Sequence, residues 1–152
     1  MAHLNELDKK LVIHLQENFP LTLRPFKRLA EMLSTTEEQV IARVRRLKSK
    51  GVIRRIGPTY NPEKLGYRRT LIGMSVPRAR LKQVADLINR FSEVTHNYLR
   101  EDSKFNLWFT LICPSDKRIN AVIRQLKQKT AVKEILNLPT VKTIKIKAMF
   151  RP

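Results

Sequence analysis

The chain has 152 residues, of which 42% are hydrophobic and 29% charged, a composition typical of a folded protein rather than a disordered one. It contains 31 lysines and arginines against 13 acidic residues, which gives a formal net charge of +18 at pH 7. No segment approaches the roughly 18 consecutive apolar residues that a membrane-spanning helix requires, and the N-terminus lacks a secretory apolar core, so we expect a cytoplasmic protein with no membrane partner.

The N-terminal third of the sequence has the pattern of three short helices. The first carries a leucine stripe at helical spacing and ends before Pro20. Pro25 suits the first turn of the second helix, and capping signals in residues 34–38 begin a third helix that runs to about Lys50, where Gly51 ends it. Three short helices joined by tight turns predict a helix-turn-helix.

Residues 52–58 then combine an apolar pair, an arginine pair and a Gly-Pro break, a pattern typical of a short strand or wing. In such a strand-like segment Arg54 and Arg55 point to opposite faces, so at most one of them faces a given pocket. A solvated pair fits the pattern about equally well. We therefore assign residues 1–60 to a winged helix-turn-helix domain and residues 61–68 to a linker.

Residues 69–152 alternate strand and helix periods in the order βαββαβ, which is the ferredoxin-like motif. The predicted fold class is therefore α+β, a winged helix-turn-helix followed by a ferredoxin-like βαββαβ sandwich. Because helices cover one face of such a sheet, the other face needs a partner or a ligand, and we expect a dimer. The predicted elements are strands over residues 70–76, 94–100 and 105–112, helices from about Leu81 and from Ser115, and a last strand in which Ile144, Ile146, Ala148 and Phe150 alternate with polar residues.

Polar side chains concentrate in the predicted hairpin. One face of its first strand carries His96, Tyr98 and Arg100, and one face of its second carries Asn106, Trp108 and Thr110. If the pairing register joins these sets, they form a single patch, whereas a one-residue slip separates them. A satisfied sheet histidine and an interface tryptophan fit the pattern about equally well. However, so many hydrogen-bonding side chains beside a core are unfavourable to bury unless a ligand satisfies them.

The basic charge predicts a polyanionic partner, for which DNA, RNA and a small polycarboxylate are all suitable, although a solvated basic surface would also serve solubility alone. Because Cys113 is the only cysteine, the chain has no internal disulfide and no cysteine-built metal site. Its apolar neighbours predict a buried, inert thiol. The sequence also has no Gly-rich phosphate loop, metal-binding helix pair or triad-like constellation.

The order of elements resembles the leucine-responsive (Lrp/AsnC-type) transcription regulators over nearly the full chain. Those regulators usually carry a Gly-Asp-type effector signature in the second strand of the sandwich, but here that place reads Thr95-His96-Asn97-Tyr98-Leu99-Arg100, followed by Asn106-Leu107-Trp108-Phe109-Thr110. Together with Ile53-Arg54-Arg55-Ile56-Gly57 and Lys64-Leu65-Gly66-Tyr67, these segments resemble the siroheme decarboxylase branch. Members of that branch remove carbon dioxide from two acetate side chains of siroheme, giving didecarboxysiroheme on the route to heme or to the nitrite-reductase heme.

The resemblance implies that the hairpin carries the chemistry. Loss of carbon dioxide leaves an electron pair on the ring-attached carbon, which the conjugated macrocycle delocalises until a proton arrives. We interpret His96, the only histidine in these segments, as the catalytic proton donor, because imidazole titrates near neutral pH. It could instead ligate the siroheme iron. No cofactor is implied beyond the iron-tetrapyrrole substrate, which supplies its own electron sink.

The carboxylates of siroheme favour arginine ligands, since a guanidinium holds a carboxylate through two parallel hydrogen bonds. The candidates for carboxylate binding are Arg54, Arg55 and Arg100, those for orienting carboxylates or the imidazole are Asn97 and Tyr98, and Trp108 is the candidate for packing on the macrocycle edge. In this branch two related subunits commonly pair, as separate chains or as fused halves. The resemblance therefore implies a paralogous partner subunit in a heterodimer, with siroheme as its ligand.

A DNA-binding transcription regulator is the main alternative. The third predicted helix offers a phosphate-contacting row of Arg43, Arg45, Arg46, Lys48 and Lys50. A regulator predicts duplex DNA affinity that falls steeply with salt and survives loss of His96, whereas an enzyme predicts a bound tetrapyrrole and dependence on the motif residues. A heme-sensing regulator using the same pocket would bind both ligands without turnover.

Overall fold

The computed structural model describes residues 4–101, 104–145 and 149–152. The chain divides into two compact units, the first comprising Met1–Thr59 and Lys145–Pro152 and the second comprising Tyr60–Ile144. Within the described ranges, no helix is long and apolar enough to cross a membrane.

The first unit contains the three predicted helices. They are α1 (Glu6–Glu17), α2 (Pro25–Met32) and α3 (Glu37–Ser49). Asn5 and Asp8 form a reciprocal capping box at the start of α1, and Thr36 caps α3 by accepting a hydrogen bond from the backbone N–H of Gln39. Their apolar faces enclose a core of Leu11, Leu29, Ala30, Val40, Val44 and Leu47. The helix-turn-helix prediction is therefore confirmed.

The segment after α3 forms an irregular extension. The backbone N–H groups of Val52 and Ile53 both donate to the carbonyl of Leu47, at 2.9 and 3.2 Å. These bonds fold the segment back onto the end of the helix, and along the described chain no strand forms before Arg68. The short strand expected within residues 52–58 is absent because the helix end uses its first backbone donors.

The second unit has the predicted order of strands and helices. Its elements are β1 (Arg68–Met74), α4 (Leu81–Ile88), β2 (Val94–Leu99), β3 (Leu107–Cys113), α5 (Asp116–Thr130) and β4 (Ile135–Pro139). The four strands form one antiparallel sheet in the order β2-β3-β1-β4. This is the ferredoxin-like topology, so the predicted fold class is confirmed.

The last strand is not where the sequence pattern placed it. After α5, Ala131 takes a left-handed φ of 52° and turns the chain directly to the free edge of β1, where β4 pairs. Residues 141–145 have no regular structure, Phe150 belongs to the first unit, and Ile146 and Ala148 lie outside the described residues. The predicted strand is wrong because a nearer segment already occupies the edge of β1.

One face of the sheet packs against α4 and α5. Its core contains Ile72, Met74, Val84, Ile88, Leu107, Phe109, Leu111, Cys113, Ile119, Val122 and Leu126. Cys113 is buried as predicted, and burial raises the pKa of its thiol, which suits an inert core residue. The opposite face of the sheet, which we call the open face, carries Leu71, Gly73, His96, Tyr98, Trp108, Thr110 and Leu138.

Candidate functional site

The register of the hairpin joins most of the predicted polar patch on the open face. His96 of β2 lies opposite Thr110 of β3, and Tyr98 lies opposite Trp108. Directly opposite residues of an antiparallel pair share a face of the sheet, so these four side chains form one group. This is the register on which the predicted patch depended.

A β-bulge decides which face His96 occupies. The pairing runs from Val94 opposite Leu111 to His96 opposite Thr110, so that Thr95 is an extra residue on β2. In a regular strand Val94 and His96 would share a face, yet Val94 packs against the core and His96 is exposed. The bulge therefore keeps the valine inside while it places the imidazole on the open face.

The imidazole of His96 has two neighbours on β2. Its Nδ1 lies 3.1 Å from the Thr95 hydroxyl, and its ring stacks on Tyr98 with centroids 6.0 Å apart and an interplanar angle of 23°. These contacts orient the ring and leave Nε2 as the nitrogen away from Thr95. An exposed, oriented imidazole can exchange protons with a bound ligand or coordinate a metal that the ligand carries.

Trp108 lies half-buried on the same face. Its indole N–H donates to the carbonyl of Phe105, and the two rings meet edge to face with centroids 6.1 Å apart. A Cβ at Gly73, the residue opposite on β1, would lie 3.1 to 3.2 Å from the indole ring. The position of Trp108 therefore depends on this glycine, which sequence reasoning missed although an isolated glycine in a strand is a known signal of close approach.

Two polar residues of the hairpin, Asn97 and Asn106, make structural hydrogen bonds away from the open face. Asn97 lies opposite Phe109 of the core and donates from Nδ2 to Asn89 Oδ1 at 2.9 Å, while its own Oδ1 is buried without a hydrogen-bond partner. Asn106 accepts from the N–H of Val76 at 2.9 Å and donates to the Val76 carbonyl at 2.7 Å. Neither side chain joins His96 on the open face.

Arg100 follows the end of β2, and its backbone N–H donates to the Asn106 carbonyl at 2.7 Å. Its side chain lines a cavity of about 360 Å³ with Arg78 and Leu81. The lining of that cavity includes none of His96, Tyr98 and Trp108. The structure therefore separates Arg100 from the group with which the strand pattern placed it.

Arg54 and Arg55 belong to the first unit, where both line a cavity of about 940 Å³. The expectation that at most one could face a given pocket assumed a strand, and no strand forms in this segment, so strand alternation sets no such limit here. Both residues are exposed, and neither forms an ion pair with another described residue. Two unpaired guanidinium groups at one cavity are suited to binding carboxylates.

The basic row of α3 is partly occupied within the first unit. Asp8, whose side chain is 1% exposed, accepts hydrogen bonds from Arg43 at 2.8 Å and from Arg46 at 2.5 Å. These two arginines therefore join α3 to α1. In the part of the chain that the structure describes, no group of three or more His, Cys, Asp or Glu side chains is arranged to hold a metal ion.

Two family models match the chain, one in each unit. Residues 8–54 match a siroheme decarboxylase NirDL-like HTH domain, and residues 64–145 match an AsnC-like ligand binding domain. These two matches cover most of both units.

Similar proteins agree with these matches. The siroheme decarboxylase alpha subunit of Nitratidesulfovibrio vulgaris is 40% identical over 97% of this chain and 83% of its own length. A crystal structure of the siroheme decarboxylase NirDL with an iron-uroporphyrin III analogue is 35% identical, with a TM-score of 0.67 over 95% of this chain and 48% of that one. AsnC of E. coli has a TM-score of 0.82 over 99% of this chain and 100% of its own, at 19% identity, and shares the fold alone. The chain therefore belongs to the family of siroheme decarboxylase subunits, which is built on the AsnC-type fold.

Proposed function

We propose that this chain is a siroheme decarboxylase subunit that removes carbon dioxide from two acetate side chains of siroheme to give didecarboxysiroheme, in heme or nitrite-reductase heme biosynthesis. The observation that carries the proposal is the placement of His96, Tyr98 and Trp108 together on one exposed sheet face in a chain of this family. The net charge of +18 suits a polycarboxylate ligand. The NirDL relative with an iron-uroporphyrin III analogue supports the same ligand class.

The proposed reaction is balanced without an oxidant, a reductant or a further cofactor. In each round the bond between the acetate methylene and its carboxylate breaks, and carbon dioxide leaves. The electron pair stays on the methylene carbon, where the conjugated macrocycle of the substrate delocalises it. A proton then converts this carbon to a methyl group, so two rounds release two molecules of carbon dioxide and consume two protons.

His96 is the proposed proton donor. Thr95 and Tyr98 orient its ring, and its exposure on the open face allows a bound substrate to reach Nε2. A neutral imidazole at this position is equally able to ligate the siroheme iron, which is the second role to test. Trp108 is the proposed packing surface for the macrocycle edge, and Tyr98 orients the imidazole.

The carboxylates of siroheme are assigned to arginines. Arg54 and Arg55 are the proposed ligands in the first unit, and Arg100 is the proposed ligand in the second, because none of the three is paired with an acid among the described residues. Asn97 is proposed to position the strand that carries His96. By donating to Asn89, it holds the strand that carries His96 to the end of α4.

A paralogous partner subunit completes the proposed enzyme. The Nitratidesulfovibrio vulgaris relative is named an alpha subunit, and the chain spans about half of the NirDL polypeptide. Both facts suit an assembly of two related units, here a heterodimer. Siroheme carries many carboxylates and is therefore water-soluble. We accordingly propose that the protein acts in the cytoplasm.

The test is an anaerobic incubation of the purified protein with siroheme, alone and with its candidate partner subunit, followed by mass spectrometry of the tetrapyrrole. We expect two successive losses of carbon dioxide in the productive preparation. His96→Ala should abolish them, while Gln128→Ala, at an exposed position of α5, should not. No mass change in either preparation, together with tight and salt-sensitive binding of duplex DNA, would indicate that this chain acts as a DNA-binding regulator instead of a decarboxylase.

The absorption spectrum of the bound substrate distinguishes the two proposed roles of His96, iron ligand and proton donor. If the imidazole ligates iron, His96→Ala changes the spectrum of the bound siroheme, and added free imidazole restores it. If the imidazole donates the proton, the bound spectrum is unchanged and only turnover is lost.

A further inference from the structure

The open face carries a polar group to which the proposed function assigns no role, the hydroxyl of Thr110. Thr110 lies directly opposite His96 in the pairing of β2 with β3. Directly opposite residues of an antiparallel pair have Cβ atoms about 4.5–5.5 Å apart, so a single ligand group can contact both side chains. A substrate group that reaches the imidazole therefore also lies close to this hydroxyl.

The hydroxyl of Thr110 is available to a ligand. It makes no hydrogen bond with another described residue, and its oxygen is not sealed from solvent, although the residue is half-buried. The imidazole does not depend on it, because Thr95 and Tyr98 already contact that ring. A hydroxyl both donates and accepts hydrogen bonds, so a half-buried one without a protein partner is suited to a polar group of a ligand.

The positions next to Thr110 on the described sheet offer no unpaired cation. Across the strands Thr110 lies between His96 and Leu71, and none of the residues that define the open face is a lysine or an arginine. Arg69, two residues before Leu71 on β1, is already paired with Glu63 at 3.1 Å. A carboxylate at Thr110 would therefore be held by a neutral hydroxyl rather than by a guanidinium.

A neutral partner suits the one carboxylate that reacts. This carboxylate loses its charge on the way to the transition state, because the electron pair of the breaking bond moves into the macrocycle. A guanidinium bound to it would stabilise the bound substrate more than the transition state and would slow the step, since only interactions that strengthen in the transition state accelerate a reaction. A neutral hydrogen bond is about half as strong as a charge-assisted one, so a hydroxyl orients the carboxylate with less of this penalty.

We propose that Thr110 binds the reacting acetate of the substrate through its hydroxyl, with the acetate methylene towards the imidazole of His96, while arginines bind the carboxylates that are retained. The hydroxyl donates one hydrogen bond to the carboxylate and keeps its own proton, so the balance of the reaction is unchanged. Holding the carboxylate fixes the direction of the breaking bond relative to the macrocycle, which is an orientation effect on the rate. The role of Thr110 rests on the proposed function and adds to it a residue that contacts the reacting group.

The first experiment compares variants with and without the hydroxyl. Thr110→Val removes it and keeps the shape of the side chain, whereas Thr110→Ser retains it. Each variant is incubated anaerobically with siroheme and the candidate partner subunit, and the loss of carbon dioxide is followed by mass spectrometry. We expect Thr110→Val to lower kcat by at least about tenfold. The KM should change by less than about threefold, because the retained carboxylates carry most of the substrate binding.

Thr110→Ser should keep kcat within about threefold of the wild type, because its hydroxyl still donates to the carboxylate. Thr110→Ala lacks the hydroxyl as Thr110→Val does and should show the same loss, which guards against an effect of the added methyl group. The matched control is Thr140→Val, at an exposed threonine outside the strands whose hydroxyl also has no partner among the described residues. It should turn over siroheme as the wild type does, and circular dichroism verifies the folding of every variant.

The pH dependence of kcat separates a role on the carboxylate from a role on the imidazole. If Thr110 acts on the carboxylate, Thr110→Val lowers kcat by the same factor at every pH, and the midpoint of the profile stays at the wild-type value. A midpoint that moves would show that the hydroxyl acts on His96 instead, which overturns the proposal.

The two proposals fail in different ways. Turnover by the wild type that Thr110→Val and Thr110→Ala both retain overturns the role of Thr110 and leaves the decarboxylase proposal intact. An equal loss of kcat in Thr110→Ser and Thr110→Val overturns that role as well, because the hydroxyl is then not the group that acts. Absence of turnover by the wild type removes the decarboxylase proposal and the role of Thr110 with it.

Discussion

Asp8 illustrates how one residue joins two helices of the first unit. Burial raises the pKa of its carboxyl, but hydrogen bonds from Arg46 and Arg43 outweigh burial and hold the pKa below its ordinary value of 3.8. Removing one member of a buried charge group leaves the others without a partner. Asp8 is therefore expected to stabilise the packing of α1 against α3.

We predict that Asp8→Asn lowers the free energy of unfolding by about 2 kcal/mol. This is less than for a fully buried pair, because Arg43 and Arg46 are 25% and 41% exposed and water screens them. The measurement is urea unfolding at pH 7, with Asp116→Asn at an exposed position of α5 as the control. Equal stability of the two variants would show that the Asp8 group adds nothing to the packing.

The same two variants, Asp8→Asn and Asp116→Asn, test how the stability contributed by Asp8 depends on pH. Because the pKa of Asp8 is lower in the folded protein than in the unfolded chain, the unfolded chain binds more protons in the window between the two values. The contribution of Asp8 is thus complete above the unfolded value and is lost as the pH falls through the folded one. Asp8→Asn should lose less stability than Asp116→Asn between pH of about 5 and about 2.

At the scale of the elements, the contact between β1 and β3 fixes Trp108. Gly73 leaves the space that the indole occupies, and an added Cβ would lie 3.1 Å from the ring. We predict that Gly73→Ala displaces the indole and destabilises the protein by about 1–3 kcal/mol. Trp108 is the only tryptophan, so its fluorescence maximum reports the shift directly. Gly57→Ala, where a Cβ has open space, should leave the maximum unchanged.

The elements also show what the sequence could and could not predict. Hydrophobic periodicity located the five α-helices of the described residues and the approximate positions of the first three strands, because the helices and strands β1 and β3 bury apolar residues at regular spacing. It misplaced the last strand, since residues 135–139 are short and end in a proline while the later alternation is stronger. The position of the last strand is set by a tertiary contact, the pairing of residues 135–139 with the edge of β1.

The candidate site was only partly predictable for a similar reason. Period-two alternation placed His96 and Tyr98 on one face of β2, as the structure has them, but the bulge at Thr95, which puts Val94 on the opposite face, leaves no mark in the sequence. The strand expected at Arg54 and Arg55 is also absent, because the chain there is hydrogen-bonded to the end of α3. Local geometry of this kind depends on backbone contacts that residue patterns do not encode.

At the scale of the whole molecule, a net charge of +18 is compatible with either a nucleic acid or a polycarboxylate partner. The structure bears on this choice through α3. Arg43 and Arg46 are paired with Asp8, which leaves Arg45, Lys48 and Lys50 as the cations of the predicted row that have no ion pair with another described residue. Fewer free cations on the helix mean fewer phosphate contacts and a shallower salt dependence of any DNA binding.

The open face of the sheet is where we expect the partner subunit to bind. Leu71 and Leu138, opposite each other on β1 and β4, remain 40% and 43% exposed, although the core on the other face is closed. A lysine introduced at such a position would be buried without a partner in the assembled protein, at a cost of several kcal/mol. We predict that Leu71→Lys weakens association with the partner subunit by at least about 100-fold and reduces siroheme turnover in the mixture.

The matched control for this prediction is Val141→Lys, because Val141 is 100% exposed and lies outside the sheet. Association is measured by sedimentation of the mixed subunits over a range of concentrations, and folding of each variant by its circular dichroism. Leu71 is partly exposed in the isolated chain, so Leu71→Lys should fold as the wild type does and fail only in assembly. If the folded variant assembles as tightly as Val141→Lys, the partner does not bind at Leu71 of the open face.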